Sequence, residues 1–232
     1  MSTSSGVLTF LKSGEFMKNK KFIFFDLDGT LTDPGIGITN SVMHALKYYN
    51  ISVESRELLY PFIGPPLVDS FMKYYGFTRE EGLRAVEHYR EYYRDKGVFE
   101  ASVYDGIPEL LSSLKAAGKT LIVASSKPEE FVIQVLERFD LYKYFDCVAG
   151  ATMDSGRVKK DDVIAYAMEK FNVTDPTGVV MIGDREFDVL GGKAFGMKTI
   201  GVTFGYGSLE ELTNAGADIT VDSAQELLAI LL

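Results

Sequence analysis

Three short polar segments hold the residues whose types and spacing could do chemistry. They are Asp26-Leu27-Asp28-Gly29-Thr30-Leu31-Thr32-Asp33, Ser125-Ser126-Lys127-Pro128 and Gly183-Asp184-Arg185-Glu186-Phe187-Asp188, and each follows a short apolar run. Two carboxylates separated by one residue repel each other as they lose water, and a divalent cation is the simplest way to stabilise them. Oxygen ligands from Asp26 and Asp184 suit Mg²⁺, which completes its shell with water and substrate phosphate.

Other polar residues have two interpretations from the residues alone. Ser125 could donate a hydrogen bond to a phosphate oxygen, whereas Ser126 could simply cap a helix that starts after Pro128. Lys159 and Lys160 open a helical segment, where the helix dipole disfavours cations unless an anion is also bound there. A solvated pair of lysines is the alternative interpretation of these two residues.

Further polar or glycine-rich positions are interpreted as structural. His44 and His88 have no partner carboxylate at an obvious spacing, so we expect structural or surface roles for both. Gly205-Tyr206-Gly207 lacks the spacing and the downstream lysine of a phosphate-binding loop, and it predicts a turn.

The elements that position these segments follow from hydrophobic periodicity. Short apolar runs alternate with segments of helical period, which predicts an α/β protein with a mainly parallel sheet. The predicted strands are residues 22–25, 120–124, 147–149, 178–182 and 199–202, with a weaker sixth at 219–221; the predicted helices are 108–117, 129–139, 160–171, 187–195 and 224–232. Ligands bind beyond the carboxyl ends of such strands, so the polar segments should meet at one edge.

One long stretch lacks strands. Residues 34–102 carry apolar and aromatic residues at helical spacing, with turn signals at Gly64-Pro65-Pro66 and Gly76. They predict an all-helical insert after the first strand, with linkers near 34–35 and 99–104. The predicted organisation is an N-terminal extension at 1–20, a core formed by 21–33 and 103–232, and the insert between its two parts.

Composition excludes several function classes. The chain has 232 residues, of which 46% are hydrophobic and 25% charged, which is enough to bury a sizeable core. Its net charge of −9 argues against nucleic acid or an anionic membrane surface as a partner. The single cysteine, Cys147, cannot form an internal disulfide, and the apolar cluster near the start is too short for a signal peptide. We therefore expect a cytoplasmic protein, monomeric or a small homo-oligomer.

Taken together, the motifs over residues 20–232 resemble those of haloacid dehalogenase superfamily phosphatases that carry a helical cap. Residues 26–33 are similar to the family's first motif, Ser125 to its second and Lys160 to its third. Gly183-Asp184 with Asp188 is similar to the fourth. Lys160 fits the third motif better than Lys159 because of its distance from residues 154–157 and 163–164.

The resemblance implies a role for each motif residue and a Rossmann-like core. Asp26 would attack phosphorus to form an aspartyl-phosphate, and Asp28 would act as general acid and then general base. Mg²⁺ would be bound by the Asp26 carboxylate, the Asp28 backbone carbonyl and Asp184. The remaining residues are Ser125, Ser126, Lys160, Gly29 and Thr30 at the phosphate, with Asp188 and Lys127 in support. The dehalogenases lack an acid at the position of Asp28, so its presence implies phosphate chemistry.

The stretch at residues 97–107 and the segment at residues 205–212 are similar to the branch that holds phosphoglycolate phosphatases and 5′-nucleotidase-like enzymes. This resemblance implies Mg²⁺-dependent hydrolysis of a small phosphate ester, a nucleoside 5′-monophosphate or phosphoglycolate. The cap would exclude water and select the substrate, with contributions from residues 63–66 and Lys73. A phosphosugar mutase of the same fold is the alternative. A non-catalytic module that binds phosphometabolites is a third hypothesis, which the presence of both Asp26 and Asp28 disfavours.

Overall fold

The structure, a computed structural model, describes residues 17–154 and 156–232, and a parallel sheet of six strands lies at its centre. The spatial order of the strands is β5-β4-β1-β6-β7-β8. In chain order these are β1 (Phe22–Phe25), β4 (Thr120–Pro128), β5 (Cys147–Ala151), β6 (Val179–Gly183), β7 (Lys198–Val202) and β8 (Ile219–Val221). Two further strands, β2 (Thr32–Asp33) and β3 (Ser102–Val103), pair with each other in antiparallel fashion.

Helices cover both faces of the sheet and fill the long interval between β2 and β3. The α-helices are α1 (Gly35–Lys47), α2 (Leu67–Tyr75), α3 (Arg79–Asp95), α4 (Ile107–Ala116), α5 (Glu129–Arg138), α6 (Lys160–Lys170), α7 (Glu186–Ala194), α8 (Leu209–Asn214) and α9 (Ala224–Leu231). Short 3₁₀ helices lie at Arg56–Phe62, Gly97–Phe99, Tyr142–Tyr144 and Pro176–Gly178. Among the described residues, none of these helices has both the length and the apolar character needed to cross a bilayer.

Strand β1 is the centre of the sheet because all its residues are apolar. It pairs with β4 on one side and β6 on the other, with Phe25 level with both Val123 and Ile182. Successive side chains point to opposite faces. Ile23 and Phe25 belong to one hydrophobic cluster, whereas Phe24 belongs to a second one that packs beneath α6. This two-sided burial brings the end of β1, and thus Asp26, between the ends of its neighbours.

The structure confirms the predicted α/β class and each predicted strand. Gly118 and Gly196 lie two residues after the ends of α4 and α7, with φ of +77° and +75°, the left-handed conformation typical of the residue that follows a helix. Strand β4 is longer than predicted, since it continues through the polar residues Ser125 to Pro128. Its pairing with β5 shifts register in that stretch. Helix α8 and the pair β2–β3 were not predicted, because segments of six and two residues show no clear period.

We refer to residues 34–102 as the helical segment. Helices α1, α2 and α3 lie within it, and α3 begins with a capping box between Thr78 and Glu81. Strands β2 and β3 lie side by side where the chain enters and leaves the segment. The two linkers expected near 34–35 and 99–104 therefore meet at one place.

The two histidines of the helical segment share a partner that the sequence analysis missed. His44 Nε2 lies 3.3 Å and His88 Nδ1 3.0 Å from the carboxylate of Glu91, which also accepts a hydrogen bond of 2.8 Å from Tyr48 Oη. Their surface location agrees with the expected structural role. The expectation that they lack a partner carboxylate was wrong, because Glu91 lies one helical turn after His88 and faces α1.

Candidate active site

The loop after β1 holds Asp26 and Asp28 in a fixed, buried arrangement. The Leu27 carbonyl accepts hydrogen bonds from the N–H groups of Thr30, Leu31 and Thr32 at 2.9 to 3.3 Å. Gly29 has a φ of +84°, and a Cβ at this position would lie 2.2 Å from Asp184 Oδ2. Only glycine allows this turn and this close approach. The local sequence thus brings the first motif directly against the fourth.

Lys160, in the first turn of α6, is paired with two carboxylates. Its Nζ lies 2.8 Å from Asp26 Oδ1 and 2.7 Å from Asp188 Oδ1, and it donates a hydrogen bond of 2.9 Å to the Ala124 carbonyl. Burial by itself would lower the pKa of Lys160, but the carboxylates of Asp188 and Asp26 raise it above its ordinary value. Lys160 therefore remains charged beside Asp26.

Asp184 lies at the end of β6 and is completely buried. Its carboxylate accepts a hydrogen bond from the backbone N–H of Tyr206 at 2.8 Å and a longer one from Thr30 Oγ1 at 3.4 Å. Burial, followed by the charges of Asp188 and Asp26, raises its pKa well above the usual value. Burial likewise raises the pKa of Asp188 to about 6, with Lys160 opposing that shift.

The charges of this cluster suit a divalent cation. Asp26, Asp184 and Asp188 each offer a carboxylate oxygen within 4.8 Å of the others, and all three are buried. Among residues 17–154 and 156–232, four buried carboxylates, those of this cluster and Asp28, lie near two buried ammonium groups, those of Lys127 and Lys160. Two negative charges would remain unbalanced, and that is costly in a buried site. The carboxylate oxygens are hard ligands of the kind that Mg²⁺ takes, so the residues fit a bound metal ion.

Asp28 has its own cationic partner. Lys127 Nζ contacts Asp28 Oδ2, and the ammonium lies 5.2 Å from the centroid of the Tyr93 ring on α3. Burial raises the pKa of Asp28, and Lys127 acts against that shift. The other oxygen, Oδ1, is buried and has no hydrogen-bond partner among residues 17–154 and 156–232. Sequence reasoning gave Lys127 only a supporting role, and the structure identifies Asp28 as the group that it contacts.

The remaining predicted phosphate ligands lie in different surroundings. Ser125 is buried at the end of β4 and faces the cavity, where its Oγ accepts a 3.4 Å hydrogen bond from the Lys127 N–H. Ser126 also lines the cavity. The alternative interpretation, that Ser126 caps the following helix, is wrong, since α5 starts at Glu129 after Pro128 and no side chain caps it among the described residues.

The predicted loop residues Gly29 and Thr30 contact Asp184, as described above. Lys159, the alternative to Lys160, is exposed and lies on the outer lining of the cavity, whereas Lys160 lies among the carboxylates. The structure therefore brings Asp26, Asp28, Asp184, Asp188 and Lys160 into one cluster.

A cavity of about 310 Å³ opens between this cluster and the helical segment. Its base includes Asp26, Asp28 and Ser125. One face of α3 forms a wall, with its lining residues spaced at helical period: Arg79, Leu83, Val86, Arg90 and Tyr93. Arg90 Nη2 donates a hydrogen bond of 3.1 Å to the Met153 carbonyl and so joins this wall to the loop after β5. The sequence showed apolar and aromatic residues at helical spacing in this stretch, but not that their face of the helix lines a cavity together with Arg79 and Arg90.

The segment Gly205-Tyr206-Gly207, predicted as a turn, lies directly on Asp184. A Cβ at Gly205 would be 2.2 Å from the Gly29 carbonyl oxygen, and one at Gly207 would be 1.8 Å from the Asp184 carbonyl oxygen. Only glycine fits at both positions. The sequence offered a signal in the repeated glycine, but the partner is distant in the chain.

Comparisons with known proteins agree with this geometry. A family model described as haloacid dehalogenase-like hydrolase matches residues 23–202. A 5′-nucleotidase of Pseudomonas aeruginosa is 43% identical over 190 residues, which is 82% of this chain and 86% of the relative. Tyrosine-protein kinase PtkA of Mycobacterium tuberculosis is 35% identical, and the match covers 92% of this chain and 74% of the kinase. A phosphoglycolate phosphatase of Vibrio parahaemolyticus is 31% identical, and the match covers 91% of this chain and 96% of that protein.

A solved structure is similar over nearly the whole chain. The crystal structure of a predicted phosphatase from Clostridium acetobutylicum matches with a TM-score of 0.88 and 50% identity, covering 90% of this chain and 96% of the other. The family model spans well over half of the chain, and these relatives cover most of it. The chain therefore belongs to the haloacid dehalogenase-like hydrolases.

Proposed function

We propose that the chain is a Mg²⁺-dependent phosphomonoesterase that forms an aspartyl-phosphate on Asp26. The observation that carries this proposal is the position of Asp26 at the base of the cavity, beside Lys160 and Asp184 and two residues from Asp28. Mg²⁺ held by Asp26, Asp184 and the Asp28 backbone carbonyl, with Asp188 in support, would neutralise charge on the phosphate as a Lewis acid.

Two proton transfers by Asp28 complete the reaction. The Asp26 carboxylate forms a bond to phosphorus while the ester P–O bond breaks, and Asp28 donates its proton to the leaving oxygen. Water then attacks phosphorus, Asp28 takes its proton, and Asp26 is released with inorganic phosphate. Burial raises the pKa of Asp28 and so favours the protonated acid that the first step requires. Lys160 and Ser125 hold the phosphate oxygens, with Ser126 and the loop at Gly29 and Thr30 completing the phosphate site.

The cavity supports a small anionic ester as the substrate. Its volume lies at the lower end of the range of small-molecule sites. Arg90 and Lys159 add positive charge to its lining in a protein with a net charge of −9. The named relatives include a 5′-nucleotidase and a phosphoglycolate phosphatase. A nucleoside 5′-monophosphate or phosphoglycolate is therefore the proposed substrate.

The helical segment acts as the cap in this proposal. Residues 21–33 and 103–232 form the core that carries the chemistry, the segment closes over it, and the extension expected at residues 1–20 lies mostly outside the described residues. The single cysteine supports a cytoplasmic location. A monomer or a small homo-oligomer suffices, because the groups named above all come from one chain.

The test is phosphate release from a panel of esters, with Mg²⁺ and with chelator. We expect metal-dependent release with one ester far ahead, and no release by the Asp26→Asn variant at unchanged folding by circular dichroism. Transfer of the phosphoryl group to a sugar monophosphate without free phosphate would favour the mutase instead. Binding of metal and ester with neither release nor transfer would favour the non-catalytic module.

A further inference from the structure

Residues beside Asp184 reach from the carboxylate cluster into the helical segment. We propose that Tyr206 is a positioning residue that connects Asp184 to residues 33–35, where the chain passes from the core into the helical segment. We call residues 33–35 the hinge. Through this connection, cation binding at Asp184 and the geometry of the hinge depend on each other. This inference rests on the proposed function, because it takes Asp184 as a ligand of the metal ion. Three sets of contacts support it.

The first contact fixes the carboxylate. The backbone N–H of Tyr206 donates to Asp184 Oδ2 at 2.8 Å. The flanking glycines place this backbone in contact with Asp184, since a Cβ at Gly205 would lie 2.5 Å from Asp184 Cβ. The orientation of Asp184 therefore depends on the position of Tyr206.

The second contact fixes the hinge. Tyr206 Oη donates a hydrogen bond to Asp33 Oδ1, the same oxygen that accepts a 2.9 Å hydrogen bond from the Gly35 N–H. Asp33 ends β2 and Gly35 begins α1, so this oxygen holds the first turn of the helical segment. A Cβ at Gly35 would lie 2.2 Å from Tyr206 Oη, which shows how closely the phenol packs there.

The third set of contacts extends the connection. The Tyr206 ring packs edge-on against Tyr60 of the helical segment, with 5.3 Å between centroids. Arg185, next to Asp184, contacts the Ile63 carbonyl and donates a 2.8 Å hydrogen bond to Glu211. The end of β6 and the loop after β7 therefore contact the helical segment at two places. One is the hinge at residues 33–35, and the other is the 3₁₀ helix Arg56–Phe62 and the residue after it.

A purely structural role for Tyr206 makes a different prediction. In that case, removal of the Tyr206 hydroxyl would lower the stability of the fold without changing the link between the cation and the hinge. If the two are coupled, binding free energies must be reciprocal: the cation orders the hinge as much as the ordered hinge favours the cation. Amide exchange at the hinge, measured with and without Mg²⁺, separates the two roles without any assay of activity.

The test compares the full chain with the Tyr206→Phe variant, which keeps the ring and the backbone N–H and removes only the hydroxyl. Titration calorimetry with Mg²⁺ alone should show affinity about threefold to tenfold weaker in the variant, the effect of one lost hydrogen bond. Hydrogen exchange at the Gly35 amide should slow when Mg²⁺ binds the native protein and respond less in the variant. Tyr142→Phe, on an exposed 3₁₀ helix, is the matched control and should behave as native.

Variants at Asp33 test the same hydrogen bond by changing its acceptor. Asp33→Ala should weaken Mg²⁺ binding at least as much as Tyr206→Phe does, because it also removes the acceptor of the Gly35 N–H. The double variant should bind Mg²⁺ little more weakly than Asp33→Ala, because both substitutions remove the hydrogen bond between Tyr206 and Asp33. Asp33→Asn retains an oxygen acceptor and should keep most of the affinity. Asp33→Ala also answers the question if Tyr206→Phe does not fold.

The outcomes separate this inference from the proposed function. Native Mg²⁺ affinity and a native exchange response in both Tyr206→Phe and Asp33→Ala would overturn the coupling alone, provided that the native protein binds Mg²⁺ and releases phosphate. A native protein that neither binds Mg²⁺ nor releases phosphate from any ester would overturn the proposed function, and this inference with it.

Discussion

At the scale of single residues, the site is organised by two buried lysines, each paired with a carboxylate assigned to catalysis. Lys160 lies beside Asp26, and Lys127 contacts Asp28. A buried ion pair contributes little to stability by itself, but removal of one partner leaves the other charge uncompensated. Substitution of either lysine should therefore report on the carboxylate that it accompanies.

The neighbouring lysines 159 and 160 allow a matched comparison. We expect Lys160→Met to reduce phosphate release by about 10²-fold or more, because a charged group at the phosphate and a partner of Asp26 are lost together. Lys159→Met, at an exposed position, should change the free energy of unfolding by less than about 0.5 kcal/mol and reduce release far less. Steady-state rates and urea titrations measure both. Equal loss of activity in the two variants would contradict the assignment of Lys160.

Substitution of Lys127 should reduce activity most toward esters whose leaving group must be protonated as it departs. Lys127→Met removes the partner of Asp28 and lets its carboxyl group reorient, which impairs proton donation. We expect kcat/KM for an alkyl phosphate to fall at least about tenfold more than kcat/KM for p-nitrophenyl phosphate, whose leaving group departs without a proton. Equal losses for the two esters would instead indicate a general effect on binding or folding.

At the scale of elements, close backbone approach decides how the loops after β1, β6 and β7 meet. Strands of a parallel sheet end at one edge, but their loops pack only if no side chain intervenes. Gly29 and Gly205 meet this condition against Asp184 and against each other. The arrangement of the carboxylates therefore depends on glycines that carry no chemistry.

Gly205→Ala tests this dependence. The added Cβ would lie 2.2 Å from the Gly29 carbonyl oxygen, so we expect a loss of about 1 to 3 kcal/mol in the free energy of unfolding. Gly178→Ala is the control, because among the described residues no atom beyond its chain neighbours lies within 4 Å of its Cβ position, and it should be neutral within about 0.5 kcal/mol. Urea denaturation measures both values. Similar values for the two variants would show that the loops adjust freely.

At the scale of the whole molecule, the unbalanced negative charge of the site should make stability depend on pH and on the metal ion. Burial raises the pKa of Asp188 to about 6 and that of Asp184 well above its usual value. A folded-state pKa above the unfolded one means that the metal-free folded protein holds protons that the unfolded chain releases. This contribution to stability is present at low pH and decreases as the pH rises through about 6.

The metal ion should offset that decrease. We expect saturating Mg²⁺ to raise the melting temperature more at about pH 7.5 than at about pH 5, because at the lower pH protons occupy Asp188 and compete with the cation. Thermal unfolding with Mg²⁺ and with chelator at both pH values measures the difference. A shift that is equal at both pH values, or larger at the lower one, would show that these carboxyl groups are not linked to the cation.

The sequence predicted the sheet and the carboxylate cluster because both follow from local patterns. Apolar runs identify strands, and polar residues at their ends identify an edge. The end of β4 was missed because Ser125 to Lys127 look like a loop. The contacts of Lys127 and Tyr206 depend on packing between residues distant in the chain, and so does the cavity wall on α3. No local period carries that information.

The adjacency of β2 and β3 has a consequence for how such a protein can diversify. The chain leaves the core at Thr32–Asp33 and returns beside it at Ser102–Val103. A different segment inserted between these strands would therefore need its two ends to lie next to each other at this one place. The carboxylates of the cluster, Asp26, Asp28, Asp184 and Asp188, all lie outside that stretch, whereas one cavity wall comes from within it. Exchange of one contiguous stretch of gene could therefore alter which esters enter while the reacting groups are inherited unchanged.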